Sequence, residues 1–165
     1  MKQISIILSL TLLVACSHKN LRTAYDHSHF DQQVINKLPL YDSLVAVLIQ
    51  HYPTPAQFNY DKNAYRYIPS EDGNDLYKVF PHDVGDKIKE HIANLGADFI
   101  YGFDCYKDTT IKIMLKSVYQ KDHVDVIARL TYFPAGMNIK HREYPMKDTI
   151  LNPHWQYWIA LEEHF

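Results

Sequence analysis

The residues most able to do chemistry in this chain are scattered. Asp26-His27-Ser28-His29 puts a carboxylate and two imidazoles side by side, a donor set that could hold a metal ion. It lies in a polar stretch without periodicity, where a flexible backbone fixes no coordination geometry, and structural metal sites take three or four ligands. His82, His91, His123, His141 and His154 show no His-x-x-x-His or Cys-x-x-Cys spacing, so no metal and no cofactor is expected. Glu71-Asp72-Gly73-Asn74-Asp75 is the densest oxygen-rich stretch. It lacks the regular ligand spacing and closing Glu of an EF-hand loop and reads as a polar turn. Asp98 with Asp104, or Asp122 with Asp125, could pair as acid and base. Such pairs need unequal environments, and turns solvate both partners alike. Phosphate-loop, dinucleotide, Gly-x-Ser-x-Gly and zinc-protease signatures are absent.

Cys105 could be imagined as a nucleophile with a histidine. An activated thiol wants a helix N-terminus or a cation beside it. The alternation of Phe99, Tyr101, Phe103 and Cys105 instead places it on the apolar side of a strand, as a packed, inert thiol.

The tyrosines are the stronger signal. The chain has 13, and Tyr52, Tyr60, Tyr65, Tyr67 and Tyr77 fall in one irregular segment, 52–80. Long irregular segments in compact domains often carry function, and Tyr offers contact area at low rotamer cost. These five are the candidate binding residues. The competing reading is that their rings roof the core.

Composition bounds the rest. With 165 residues, 47% hydrophobic, 13% aromatic and 22% charged, the chain is of single-domain length and globular rather than disordered. A net charge of −2 without clustered Lys or Arg gives no case for nucleic acid.

The N-terminus is the most specific segment. One positive charge, Lys2, precedes an apolar run over residues 4–15 that is too short for a transmembrane helix. The run closes on Leu13-Val14-Ala15-Cys16, after which Ser17-His18-Lys19-Asn20 turns abruptly polar. This segment resembles the signal peptide and lipobox of bacterial lipoproteins. The resemblance implies removal of residues 1–15, acylation of the Cys16 thiol, and a membrane anchor in the cell envelope. Ser17 after the cysteine resembles an outer-membrane address, facing the periplasm or the exterior. Lipidated Cys16 cannot pair with Cys105, which leaves Cys105 to be protected by burial. Residues 16–29 are then a tether, and 30–165 the domain.

That domain must position whatever acts. Phe30, Val34, Ile35 and Leu38, then Leu40, Leu44, Val47 and Leu48, predict helix, kink at Pro39 and helix over 30–51, the second part deeply buried. Short strands are expected at Ala64–Ile68 and Tyr77–Phe80. Val84, Ile88, Ile92 and Leu95 predict a helix from Pro81, closed by Gly96. The period then changes to two. Strands over 98–105, 111–116 and 124–133, joined by turns at 106–108 and 120–122, predict an antiparallel meander. Residues 141–150 and 155–161 are expected to add strands, with a short helix as the alternative for the second.

The result is an α+β class, N-terminal helices packed on a C-terminal antiparallel β-meander. The element order resembles NTF2-like and cystatin-like cones. The expected role is a membrane-tethered, non-enzymatic binding module with a protein or small-ligand partner in the envelope. Immunity, inhibition and envelope maintenance are its concrete forms. The alternative is a small envelope enzyme with an NTF2-like pocket drawing on Asp98, Asp104, Tyr101, Tyr119, Tyr132 and His123.

Overall fold

The computed structural model describes residues 28–58, 63–69, 75–96, 100–115, 119–121, 124–136 and 147–163. The chain divides into two units, Met1–Gln32 and Gln33–Phe165. The second unit contains the sheet. The helix α1 (Ser28–Asn36) crosses the boundary. It is followed by α2 (Leu38–Gln50), a 3-10 turn (Pro55–Gln57), β1 (Ala64–Tyr67), α3 (Asp75–Val79) and α4 (His82–Leu95). Then come β2 (Ile100–Tyr106), β3 (Ile111–Leu115), β4 (Tyr119–Lys121), β5 (Val124–Tyr132), β6 (Lys147–Asn152) and β7 (Trp155–Glu163). The architecture is α+β. No helix among the described residues is long and apolar enough to cross a membrane.

The break at Pro39 has a local cause. Proline lacks the N–H a helix interior needs but fits a first turn, so α1 closes at Lys37 and α2 restarts with Pro39 in its first turn. The Lys37 ammonium donates to the Leu95 carbonyl, placing a cation on the negative end of α4. α4 itself buries Val84, Ile88, Ile92 and Leu95, as its stripe predicts. It ends at Gly96, whose φ of 100° suits glycine.

The expectation that α2 is deeply buried is corrected. Tyr41, Leu44, Val45 and Leu48 are buried, but Leu40 and Ile49 are 38% and 40% exposed. The helix has more apolar residues than one core-facing stripe accommodates. A second correction concerns Tyr77–Phe80, where Tyr77 to Val79 are helical rather than a strand and Phe80 follows the helix end. Leu76 and Phe80 are both buried, the four-residue spacing of a helix face.

Among the described residues seven strands form one antiparallel sheet in the order β1-β2-β3-β5-β7-β6, with β4 also paired to β5. Tyr65 pairs Cys105, which pairs Ile111, Tyr132 and Trp155 in turn. The next row runs Tyr67, Phe103, Ile113, Leu130, Tyr157. These residues form the core side, on which α2 lies with Tyr41 against Trp155, ring centroids 6.3 Å apart.

Among the described residues the strand register changes at three places. Ile100 pairs Leu115 and Gly102 pairs Met114, leaving Tyr101 unmatched and 43% exposed. Tyr101 therefore leaves the side of Phe103 and Cys105, contrary to strict alternation. Met114 faces Arg129 but Tyr119 faces Val126. β3 and β4 thus both pair β5, in registers that differ by two residues. The turn expected at 120–122 is displaced accordingly: Gln120 and Lys121 belong to β4, and Lys121 pairs Val124. The third break lies between Ile150 and Asn152 in β6.

Candidate functional site

The Tyr-rich segment resolves into packing residues. Tyr65 and Tyr67 are 0% and 3% exposed. Their rings stand against Phe103 at centroid distances of 6.3 and 5.3 Å, and Tyr65 meets Phe80 at 5.7 Å. Burial pushes the Tyr67 hydroxyl above its ordinary pKa. The half-buried Tyr52 donates to the Tyr106 carbonyl at 2.6 Å, with the Thr110 carbonyl at 3.2 Å, so it braces the β2–β3 turn. Tyr77 lies across α4 at Gly85, where an added Cβ would stand 2.6 Å from the ring. Its hydroxyl donates to Asp86 at 2.6 Å, His82 stacks on it at 4.6 Å, and Lys89 sits over it at 4.2 Å. Tyr65 and Tyr67 offer a partner no surface, and Tyr52 and Tyr77 are spent on local bracing. Tyr60 lies outside the described residues.

The enzyme candidates do not converge either. Asp104 pairs Lys112, which pairs Thr131. Tyr132 is the next residue along β5, so it projects to the opposite face. Tyr101 stands in the bulge. Asp98 and His123, like Asp26-His27, residues 71–74 and Asp122, lie outside the described residues, as do the side chains of Tyr119 and Asp125. Among the described residues no three His, Cys, Asp or Glu come together as a metal site. Cys105 is buried, and burial, then the negative charge of Asp104, pushes its thiol well above the ordinary range.

On the face turned away from α2, the row Arg66, Asp104, Lys112 alternates in charge across three strands. Arg66 donates Nε to Asp104 Oδ1 at 2.7 Å and Nη2 to Oδ2 at 3.0 Å. Asp104 is only 1% exposed. Tyr106 donates to Asp104 Oδ2 at 3.3 Å and accepts from Lys112 Nζ at 2.8 Å. Burial and the Asp104 charge hold the Tyr106 phenol protonated above its usual pKa. Beside this row Arg129 lies over the Trp158 ring at 5.1 Å, and Gln156 donates to Asp148 at 2.6 Å. Arg66, Asp104, Tyr106 and Lys112 are joined by hydrogen bonds, which makes the row an ionic brace.

The remaining feature is concave. An open groove of about 440 Å³ runs along α2, lined by Asp42, Val45, Ala46, Ile49, Gln50 and Tyr132. The lining residues of α2 repeat at three- and four-residue steps, a second stripe beside the core-facing one. Asp42 is held in place by the buried Trp155, whose indole Nε1 donates to Asp42 Oδ1 at 2.7 Å. Tyr132 is fixed by rings on two sides, stacked on His154 at 5.7 Å and edge-on to Trp155 at 5.1 Å. His154 is itself anchored by a contact of Nδ1 with the Phe133 carbonyl at 2.8 Å. Apart from Tyr132, sequence reasoning missed this group. Its signal was present: Val45 and Ile49 are surplus to the 40, 44, 47, 48 stripe.

Comparison with known proteins yields no match: no family model, no curated protein and no solved structure aligns with this chain.

Proposed function

We propose that this chain is an envelope lipoprotein, anchored through lipid on Cys16, whose folded domain is a non-enzymatic binding module. The Leu13-Val14-Ala15-Cys16 sequence supports the anchor. Two acyl signals suffice for stable membrane attachment, and lipoprotein modification supplies more. An inhibitory or immunity partner in the envelope, or an envelope-maintenance role, suits such a module. Helices packed with an antiparallel sheet support an NTF2-like or cystatin-like arrangement.

One observation carries the binding reading: α2 exposes Ala46 and Ile49 around an open groove walled by Tyr132. Apolar side chains around a concavity, with a few fixed polar groups, are the usual make-up of a binding site. The separation of Asp104 and Tyr132 onto opposite sheet faces favours this reading over an enzyme.

Two measurements test it. Radiolabelled palmitate enters the wild-type chain and not Cys16→Ser; equal labelling overturns the anchor. A benzophenone amino acid at Ile49 of the anchored chain gives partner adducts in the envelope, while the same probe at Lys87, exposed on α4, does not. Equal adducts at both positions overturn the groove.

A further inference from the structure

We infer that the groove along α2 receives a lysine side chain of a partner protein, with Asp42 as its counter-ion and Gln50 at the partner's backbone. The inference rests on the groove being the binding site and adds the chemistry of what enters it.

The electrostatics favour a cation. Six residues line the groove, and Asp42 is the charged one. A carboxylate has about four lone-pair positions. The Trp155 indole takes one on Oδ1, which fixes the group without neutralising it. No salt bridge to Asp42 is found among the described residues, and no Lys or Arg lines the groove. An apolar occupant would strip water from this anion without compensation, and an anionic one would be repelled. An ammonium offsets the charge with a short, charge-assisted hydrogen bond.

The floor favours an aliphatic stem. Ala46 and Ile49, exposed on α2, line the groove with Asp42 and Tyr132, and a lysine stem packs on such surface while its head reaches a polar end. Tyr132 adds a ring wall that tolerates a nearby cation.

Gln50 decides between a side chain and a free amine. It lies eight residues beyond Asp42 on α2, about 12 Å along the helix axis. That exceeds the length of an extended lysine stem and reaches the backbone that bears it. The Gln50 amide can donate and accept there. A free alkylamine would leave it unused. The groove is open along α2, so the partner's backbone stays outside.

The test uses NMR titration of the protein with Nα-acetyl-lysine N-methylamide, its norleucine analogue, which lacks the ammonium, and pentylamine. The lysine compound is expected to shift the Ile49 methyl and Trp155 indole signals saturably. The norleucine compound and pentylamine are expected to bind at least about tenfold more weakly. Asp42→Asn keeps an acceptor for Trp155, so its melting temperature is expected to hold while lysine binding falls about tenfold. Ala46→Phe, which fills the groove from an exposed position, is expected to abolish binding. Equal binding of the norleucine compound, or an unchanged affinity in Asp42→Asn, overturns the counter-ion. Tighter binding of pentylamine overturns the lysine in favour of a free amine. No shift with any probe overturns the inference. The Ile49 crosslink is independent of these results, so a groove that binds by other chemistry is recognised as such.

Discussion

The Arg66 guanidinium meets both oxygens of Asp104, at 2.7 and 3.0 Å, from the register position directly opposite on β1. The carboxylate is buried while 41% of the Arg66 side chain remains exposed. The pair is therefore asymmetric: Asp104 depends on Arg66 more than the reverse. Arg66→Met is expected to cost about 2 kcal/mol, since it leaves a buried charge with fewer donors. Asp104→Asn is expected to cost less, about 1 kcal/mol, because no buried charge is stranded. The double variant is expected to be less unstable than the sum of the two. Urea midpoints compared at equal slope check the order. A costlier Asp104→Asn would show that the arginine, not the carboxylate, is the dependent partner.

Thr109 has a φ of 64°, a region that β-branched residues rarely adopt. It lies in the turn that Tyr52 braces, where Thr109 N–H donates to the Tyr106 carbonyl at 2.9 Å. Thr109→Gly is expected to raise stability by about 1 kcal/mol by relieving that conformation. Tyr52→Phe is expected to lower it by about 1 kcal/mol through the lost carbonyl contact. Thermal melts of the two variants and their combination test both signs. A destabilised Thr109→Gly would mean that the threonine side chain contributes more than its backbone costs.

Alkaline pH is expected to weaken the fold. Burial raises the pKa of Cys105 and of the Tyr41, Tyr52 and Tyr67 hydroxyls. In the unfolded chain the thiol ionises near about pH 8.5 and the phenols near about pH 10. Above those values the unfolded chain holds fewer protons than the native one, so unfolding becomes easier as pH rises. Their contribution is complete below about pH 8.5 and declines above it. Melting temperature should stay level near neutrality and then fall. In Cys16→Ser, which keeps one thiol, iodoacetamide should label Cys105 only after denaturation. Labelling of the native protein at neutral pH would contradict the buried thiol.

Periodicity revealed much of this fold, and failed where the chain's own pattern breaks. The stripe of Val84, Ile88, Ile92 and Leu95 repeats at helical spacing over about three turns and locates α4. Ile111, Ile113 and Leu115 alternate and locate β3. Tyr77–Phe80 is too short to reveal a period, and in the fold its Tyr77 ring lies against Gly85 of α4. Tyr101 sits in a bulge, which shifts the side-chain phase by one residue. The groove was less legible. Asp42 and Trp155 are 113 residues apart, and no local rule joins an α2 carboxylate to a β7 indole. Arg66 is separated from Asp104 by 38 residues, and only strand register brings them together.

The position of β7 has a consequence for how the molecule comes into being. Although last in the chain among the strands, it runs between β5 and β6, and pairs β5 from Val124↔Glu163 to Tyr132↔Trp155. Until Trp155–Glu163 joins the sheet, β6 lacks its pairing strand, β5 keeps one flank bare, and Tyr41 lacks the indole it packs against. The chain can form its helices and its β2–β3 hairpin early, but closing the sheet waits for β7. A stop codon anywhere before β7 would leave an open-edged, aggregation-prone fragment rather than a smaller working domain.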